Sequence, residues 1–426
     1  YYNGVIEQVA GGIGNVEHNS ILVRYSNDFS IWDLESVNHY KDQTDIFFTC
    51  HEFSYNKIAE AYEPYLGLIR QMFHKYCSGT LEEFMEECDV YKLQRPVFES
   101  YFEKGFCERT EQILIDEVEY EQERMHSSIV TMLQKLSEIC PIVIVLNRFQ
   151  LASKSTMQLT NRLLQTKNKN IGIVLGVNDV QSIPEFAHEE WDAICESMDD
   201  RNMVYHIGNA GRNMEPDVMD YYSDYESDDG YRKLNNLVYF LDFDQADHHL
   251  SKIERRIKFD NFTISEKKHY QLLLLLIMVS GLDRDIAKAL ESCEDLEKLQ
   301  DQEKEGAFYY NFWMATSYMY LGKLEEAMIY VQKAKECGEA LGDDFLVFRA
   351  ELLKAQNQMS GWCNIFFCAQ DIEISDKLIE KLNAYHYKNH LAHIYIYAYD
   401  NKPEIVAKAY RSDAFLIYFS KGVALA

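Results

Sequence analysis

The chain has 426 residues, of which 47% are hydrophobic and 13% aromatic, a composition that excludes disorder and suffices for the cores of two or three domains. Its 69 acidic residues outnumber 42 basic ones and leave a formal charge of −27, which argues against nucleic acid or an anionic membrane as a partner. The longest uninterrupted apolar run, Leu272 to Val279, is far shorter than the roughly 20 residues that span a bilayer.

In chain order, Gly4 to Ala10 reads as a first strand running into Gly11–Gly12–Ile13–Gly14, in the position of a phosphate loop. A working loop is G-x-x-x-x-G-K-[ST], where backbone N–H groups and one lysine hold the phosphates and a hydroxyl holds Mg²⁺. Here Asn15 and Val16 follow Gly14, and a helix is expected only from Ser20–Ile21–Leu22. A second strand is expected over Thr44 to Cys50. The run Ala61 to Ile69 then reads as a helix start, with Pro64 in the first turn, where its missing N–H is tolerated. A helix reaching Leu136 and Ile139 precedes the Pro-led strand Pro141 to Leu146, which reads as buried on both faces. Its carboxyl end, where open α/β sheets place ligands, carries Asn147 and Arg148, with Ser153 where a further acid would sit in an ATPase. The turn Phe149 to Ala152 leads into a helix containing Met157, Leu159, Leu163 and Leu164. The strand Ile171 to Val177 ends in Asn178 and Asp179, and Met203 to Gly208 is the last strand expected. Strands alternating with helices predict a parallel sheet covered on both faces.

The order of elements from Arg124 through Leu164, with the Phe-Gln-Leu-Ala turn and the strand after it, resembles the STAND branch of the AAA-like P-loop ATPases over roughly the first half of the chain. The resemblance implies a P-loop NTPase-like domain over 1–208 whose vestigial nucleotide site comprises Gly12, Gly14, Asn15, Asn147 and Arg148. With lysine, hydroxyl and acids replaced, it implies a pseudo-ATPase without a cofactor that binds ATP or ADP weakly at most. The polar sensor residue that usually follows the next strand in that family, often arginine, is replaced by Asn178 and Asp179.

Residues 209–263 read as an acidic linker and helical connector. The stretch Asp224 to Gly230 has alternate oxygen-bearing side chains, as a calcium loop does, but Asp229 stands where the sharp turn needs glycine, and Asn235 where a bidentate carboxylate is needed. A solvated acidic segment is the expectation. From 264 to 426 the pattern is helical and repeats. Tyr318 to Ala327, followed by Val331 and Ala334, resembles a tetratricopeptide repeat, and turns are expected at Gly281, Gly322, Gly361 and Asn401, roughly 40 residues apart. By that resemblance the groove-lining positions fall on Tyr309, Phe312, Thr316, Met319 and Tyr320, and again on Lys388, Leu391, Tyr395, Ala398 and Tyr399. These side chains either recognise a ligand, for which aromatic groups are suited, or pack against the next repeat.

His386, His390 and His393 share one helical face, yet no carboxylate or cysteine is interleaved with them, so ordinary aromatic packing is expected and no metal. His248 and His249 point apart on a helix. No G-x-S-x-G or local Cys/His signature marks a nucleophile. The ten cysteines (Cys50, Cys77, Cys88, Cys107, Cys140, Cys195, Cys293, Cys337, Cys363, Cys368) lack metal-site or framework spacing and are expected to be reduced packing residues of a cytoplasmic protein.

The expected fold class is therefore α/β plus all-α, a parallel-sheet P-loop NTPase-like domain followed by a helical tetratricopeptide-like solenoid. The expected function is a non-catalytic sensory or scaffolding module of a larger signalling protein that binds a protein, a peptide or a small effector. The alternatives are an active STAND-type switch with unconventional nucleotide residues and a pure protein-binding adaptor. A start without methionine and an end inside a helical pattern are expected of a fragment, and the resemblance implies further domains such as a transcription-factor head or a nucleotide cyclase.

Overall fold

The computed structural model describes residues 2–15, 19–25, 45–54, 57–91, 94–107, 118–166, 168–178, 183–200, 203–207, 227–260, 263–282, 285–299 and 304–363. The elements of the first half are α1 (Tyr2–Gly12), β1 (Ser20–Tyr25), β2 (Phe47–Glu52), α2 (Tyr65–Tyr76), α3 (Leu81–Glu87), α4 (Arg95–Lys104), α5 (Val118–Ile139), β3 (Ile142–Asn147), α6 (Lys154–Gln165), β4 (Ile171–Asn178), α7 (His188–Asp200) and β5 (Val204–Ile207). Next come α8 (Asp228–Tyr239), α9 (Phe243–Phe259), α10 (Glu266–Leu282), α11 (Ile286–Glu297), α12 (Lys304–Tyr320), α13 (Leu324–Leu341) and α14 (Asp344–Cys363). They fall into two compact units: residues 1–108 with 119–253, and residues 109–118 with 254–426.

The first unit is built on a five-stranded sheet of order β2-β3-β4-β1-β5, and every pairing in it is parallel. All residues of β3 and β4 are buried, as unbroken Val/Ile/Leu runs between two covered faces require. The expected strands at Thr44–Cys50, Pro141–Leu146, Ile171–Val177 and Met203–Gly208 correspond to β2, β3, β4 and β5. Pro64 precedes the first turn of α2 rather than lying in it.

The amino-terminal assignment is reversed. Residues 4–10, expected as a strand, lie in α1, and Ser20–Ile21–Leu22, expected to open a helix, begin β1. Val5 and Val9, one helical turn apart, are both buried and pack with Ile21, Val23, Val143, Val145 and Val174 against one face of the sheet. The approach is close enough that a Cβ on Gly172 would lie 2.7 Å from Val9 Cγ1. Val5–Ile6–Val9 therefore carries helical spacing, while Ile21–Leu22–Val23 is the unbroken run that suits a central strand.

The acidic stretch also folds in part. Ser227 caps α8 by accepting from the Gly230 N–H at 3.0 Å, with Asp228 and Asp229 in the first turn near the positive end of the helix dipole. The helices α8 and most of α9, expected as a connector, belong to the sheet-containing unit, which extends to Ile253 rather than ending near residue 208.

The second unit consists, among its described residues, of successive helices in which α12 is central. Its Phe308, Phe312, Trp313 and Ala315 pack with Tyr270, Leu273 and Ile277 of α10, Cys293 and Leu296 of α11, Val331 and Ala334 of α13, and Leu346, Ala350 and Leu353 of α14. Gly322 stands in the α12–α13 turn at φ +71°, where glycine adopts a left-handed conformation without strain, and a turn was expected at this position. Gly281 does something different. It lies within α10, and a Cβ there would come 2.5 Å from the Trp313 ring, so it permits close helix approach instead of a turn. Gly361 likewise lies inside α14 rather than at a turn. Asn401 is outside the described residues.

Candidate functional site

The chain leaves β1 toward β2 at one edge and leaves β4 toward β5 on the other side, and β1 and β4 are neighbours. Reversal of direction between adjacent strands marks the carboxyl ends of an open parallel sheet as its binding crevice. The described strands end there in Tyr25, Glu52, Asn147, Asn178 and Ile207. Glu52 is the one carboxylate among these five terminal residues.

Asn147 is fully buried, and each end of its carboxamide is engaged. Its Oδ1 accepts from Tyr25 Oη at 2.9 Å, and its Nδ2 donates to Glu52 Oε1 at 3.4 Å, so one side chain ties the ends of β1, β3 and β2. A carboxylate at this position would retain the acceptor for Tyr25 but would set a negative charge against Glu52. Arg148 adopts a left-handed φ of 53° and places Nε 3.4 Å from Glu52 Oε1, a half-exposed ion pair of modest strength. Gln150, fully buried, accepts from the Asn178 N–H at 3.2 Å and so holds the end of β4.

Ser153 is the N-cap of α6, its Oγ accepting from the Thr156 N–H at 3.3 Å and donating to the Glu60 carbonyl at 2.9 Å. A capping serine accounts for this position without an acid. Asp242 is buried and bridges two helix starts: Oδ2 accepts from the Ser155 N–H at 2.8 Å and Oδ1 from the Gln245 N–H at 3.3 Å. Its burial raises the carboxyl pKa, against the lowering effect of these hydrogen bonds.

The vestigial site expected at Gly12, Gly14, Asn15, Asn147 and Arg148 does not assemble. The Gly14 N–H donates to the Lys169 carbonyl at 2.7 Å, and Asn19 Nδ2 donates to the carbonyls of Asn168 and Ile171 at 2.7 and 2.8 Å. These contacts set Gly12, Gly14 and Asn15 at the amino ends of β1 and β4. Asn147 and Arg148 stand at the opposite pole, the length of a strand or about 20 Å away. The cause is the exchange of helix and strand described above: the loop that follows the first strand begins at Ser26 and lies outside the described residues.

Beside the carboxyl pole, a second polar group escaped sequence reasoning because no motif marks it. Glu60 Oε2 accepts from Asn236 Nδ2 at 3.2 Å, and Glu63 Oε2 accepts from the Glu60 N–H at 3.2 Å. Burial pushes the Glu60 carboxyl up to about 7, with the charge of Glu63 adding to it, and burial raises Glu63 as well. His51 Nε2 lies 3.4 Å from Glu63 Oε1, but burial lowers the imidazole to about 4, so this contact is no salt bridge at neutral pH.

In the helical unit the expected groove positions divide. Phe312 is 6% exposed and Thr316 7%, with the Arg349 guanidinium 4.4 Å from the Phe312 ring centre and the Thr316 hydroxyl donating to the Phe312 carbonyl. They are core residues, because α12 has neighbours around most of its circumference. Tyr309 and Met319 are half-buried. Tyr320 closes α12, whereas Lys388, Leu391, Tyr395, Ala398 and Tyr399, like His386, His390 and His393, lie outside the described residues.

Among the described residues no group of three or more His, Cys, Asp or Glu side chains is arranged to hold a metal, and no helix is long and apolar enough to cross a membrane. His249 is buried, its Nε2 2.9 Å from Gln245 Nε2, and the neighbouring His248 ring stacks edge-on to Phe186. Cys50, Cys77, Cys88, Cys107, Cys140, Cys195, Cys293 and Cys337 are free thiols, with Cys88, Cys107, Cys140 and Cys293 buried. Comparison with family models, with curated proteins and with solved structures finds no match to this chain.

Proposed function

We propose that this chain is a non-hydrolysing sensory or scaffolding module of a larger signalling protein, in which a degenerate P-loop NTPase-like, STAND-type unit is followed by a tetratricopeptide-like helical unit that binds a protein, a peptide or a small effector. The observation that carries this reading is Asn147. Phosphoryl transfer depends on positioned charges, above all on carboxylates that hold Mg²⁺ and orient water, and at the end of β3 a buried carboxamide is instead consumed in tying three strands together. The sequence after β1 agrees, since Ser26–Asn27–Asp28–Phe29–Ser30 contains neither glycine nor lysine and the next lysine is Lys41. The residues of a working phosphate loop are thus lacking after β1, as they are after Gly14. On the helical unit, recognition is assigned to half-buried Tyr309 and Met319 and not to the buried Phe312 and Thr316.

A second reading, the active switch, draws on one observation: Glu52 is an exposed carboxylate at the crevice beside Asn147. A single experiment separates the two. Purified chain is incubated with MgATP or MgGTP, and phosphate release and nucleotide binding are measured for the native protein and for Glu52→Gln. The silent module predicts release at the buffer blank for both. Release above the blank that Glu52→Gln abolishes would establish the switch and end the pseudo-ATPase reading.

A further inference from the structure

The α8–α9 hairpin is held to the sheet-containing unit by two kinds of contact. One is apolar: Phe240, between the two helices, sets its ring against Tyr62, Phe98 and Tyr101 at centroid distances of 6.0, 5.8 and 5.6 Å. The other is a polar junction. Asn236 Oδ1 accepts from the Cys107 N–H at 2.8 Å, Asn235 Nδ2 donates to the Cys107 carbonyl at 2.6 Å, and Asn236 Nδ2 donates to Glu60 Oε2. Glu60 belongs to a segment pinned elsewhere, its carbonyl by Ser153 Oγ and the neighbouring Glu63 carbonyl by Thr156 Oγ1 at 3.2 Å. The carboxyl of Glu60 therefore meets a partner on α8 while its own backbone cannot move away.

We propose that Glu60 and Glu63 form a proton-operated latch that fastens the α8–α9 hairpin to the sheet-containing unit, docked when the pair holds a proton and loosened when both carboxyls are charged. Groups of both signs face the pair. From α8 come Lys233 and Asp229, themselves paired at 3.2 Å; from the segment of the latch comes Lys57; from β2 comes His51, kept neutral by burial; from α4 and the residues after it come Tyr101 and Cys107, both neutral and raised by burial, with Glu60 adding to each. Losing the shared proton leaves Glu60 charged in a desolvated junction beside Glu63, a cost that outweighs the opposing help of the Asn236 hydrogen bond and of Lys233 on α8. Undocking relieves it by letting water reach the carboxyl. For the sign, a carboxyl raised from its ordinary 4.5 to about 7 holds its proton more tightly in the docked state. The docking it contributes is full below about 4.5 and is lost as pH rises through about 7.

The test is hydrogen exchange of the α8 amides in the whole chain, corrected for intrinsic rates, for the native protein and for Glu60→Gln, which keeps the acceptor for Asn236 but cannot ionise. The ratio of opening in the native protein to opening in the variant removes contributions from His248 and His249 on α9. The latch predicts that this ratio climbs by up to about tenfold per pH unit from roughly pH 5 to 7 and then levels off. A ratio that stays flat over that range overturns it. Should Glu60→Gln fail to fold, carboxyl-carbon NMR of the native chain decides the matter: a Glu60 midpoint near 7 supports the latch, and one near 4.5 overturns it.

Discussion

The carboxyl pole of the sheet and the centre of the helical unit solve the problem of a filled interior in opposite ways. At the pole, Asn147, Tyr25, Gln150, Ser153 and Asp242 are buried polar groups, each joined to a residue distant in sequence. Around α12 the interior is aromatic and aliphatic, with Phe308 stacked on Phe312 and Trp313 edge-on to it among α10, α11, α13 and α14. A hydrogen-bonded interior fixes which strand ends meet, because a misplaced buried donor or acceptor is costly, whereas an apolar interior supplies stability with less dependence on orientation. The difference shows that residues of the type expected at a site can be structural in both places: the carboxamide as a tie, the aromatic ring as core.

The largest expected effect sharpens the apolar side. Phe312→Ala opens a cavity beside Trp313 and Arg349 and should destabilise the helical unit by about 3–5 kcal/mol in denaturant titration. Native-like stability with lost partner binding would restore Phe312 to a groove.

Asn147→Asp probes the polar side. It replaces the donor to Glu52 by a like charge in a buried position and should cost about 1–3 kcal/mol without producing nucleotide turnover. Gain of Mg²⁺-dependent hydrolysis in this variant would mean that the pole needs only its acid to be catalytic.

A third prediction concerns acid. Burial lowers His51, His126 and His248 to about 4 and His249 to about 3, so the unfolded chain binds more protons below 6.5. Stability present above 6.5 should therefore be lost as pH falls toward 4, and His249→Gln should flatten part of that fall in thermal melts. An unchanged profile in the variant would place the acid sensitivity in other groups.

The smallest effect is at the surface. Glu123→Ala removes the 2.6 Å pair with Arg162, both partners being substantially exposed, and should change stability by less than about 1 kcal/mol, with the difference vanishing in high salt. A larger loss would mark α5 and α6 as coupled through more than their apolar faces.

Much of the fold was legible where signals are local. The unbroken runs at β3 and β4 and Gly322 in the α12–α13 turn announce themselves within a few residues, since apolar runs and left-handed turns are properties of short segments, whereas Ser153, read as the place of an acid, proved to be the cap of α6. The exchange of α1 and β1 was not legible, because two short apolar runs separated by glycines fit either assignment until Val5 and Val9 are seen against the sheet. With it went Gly12, Gly14 and Asn15 of the expected nucleotide site.

By itself, then, the sequence determined that a parallel sheet precedes a helical array, that acids are missing after the Pro-led strand, and that the chain is strongly acidic. Only the tertiary structure decided that Asn147 is tied to Tyr25 across 122 positions, that Phe312 is core, and that Glu60 meets Asn236 on a hairpin read as a connector. The physical reason is range: backbone propensity acts over a few residues, whereas burial and the pairing of buried polar groups depend on which distant segments the fold brings into contact.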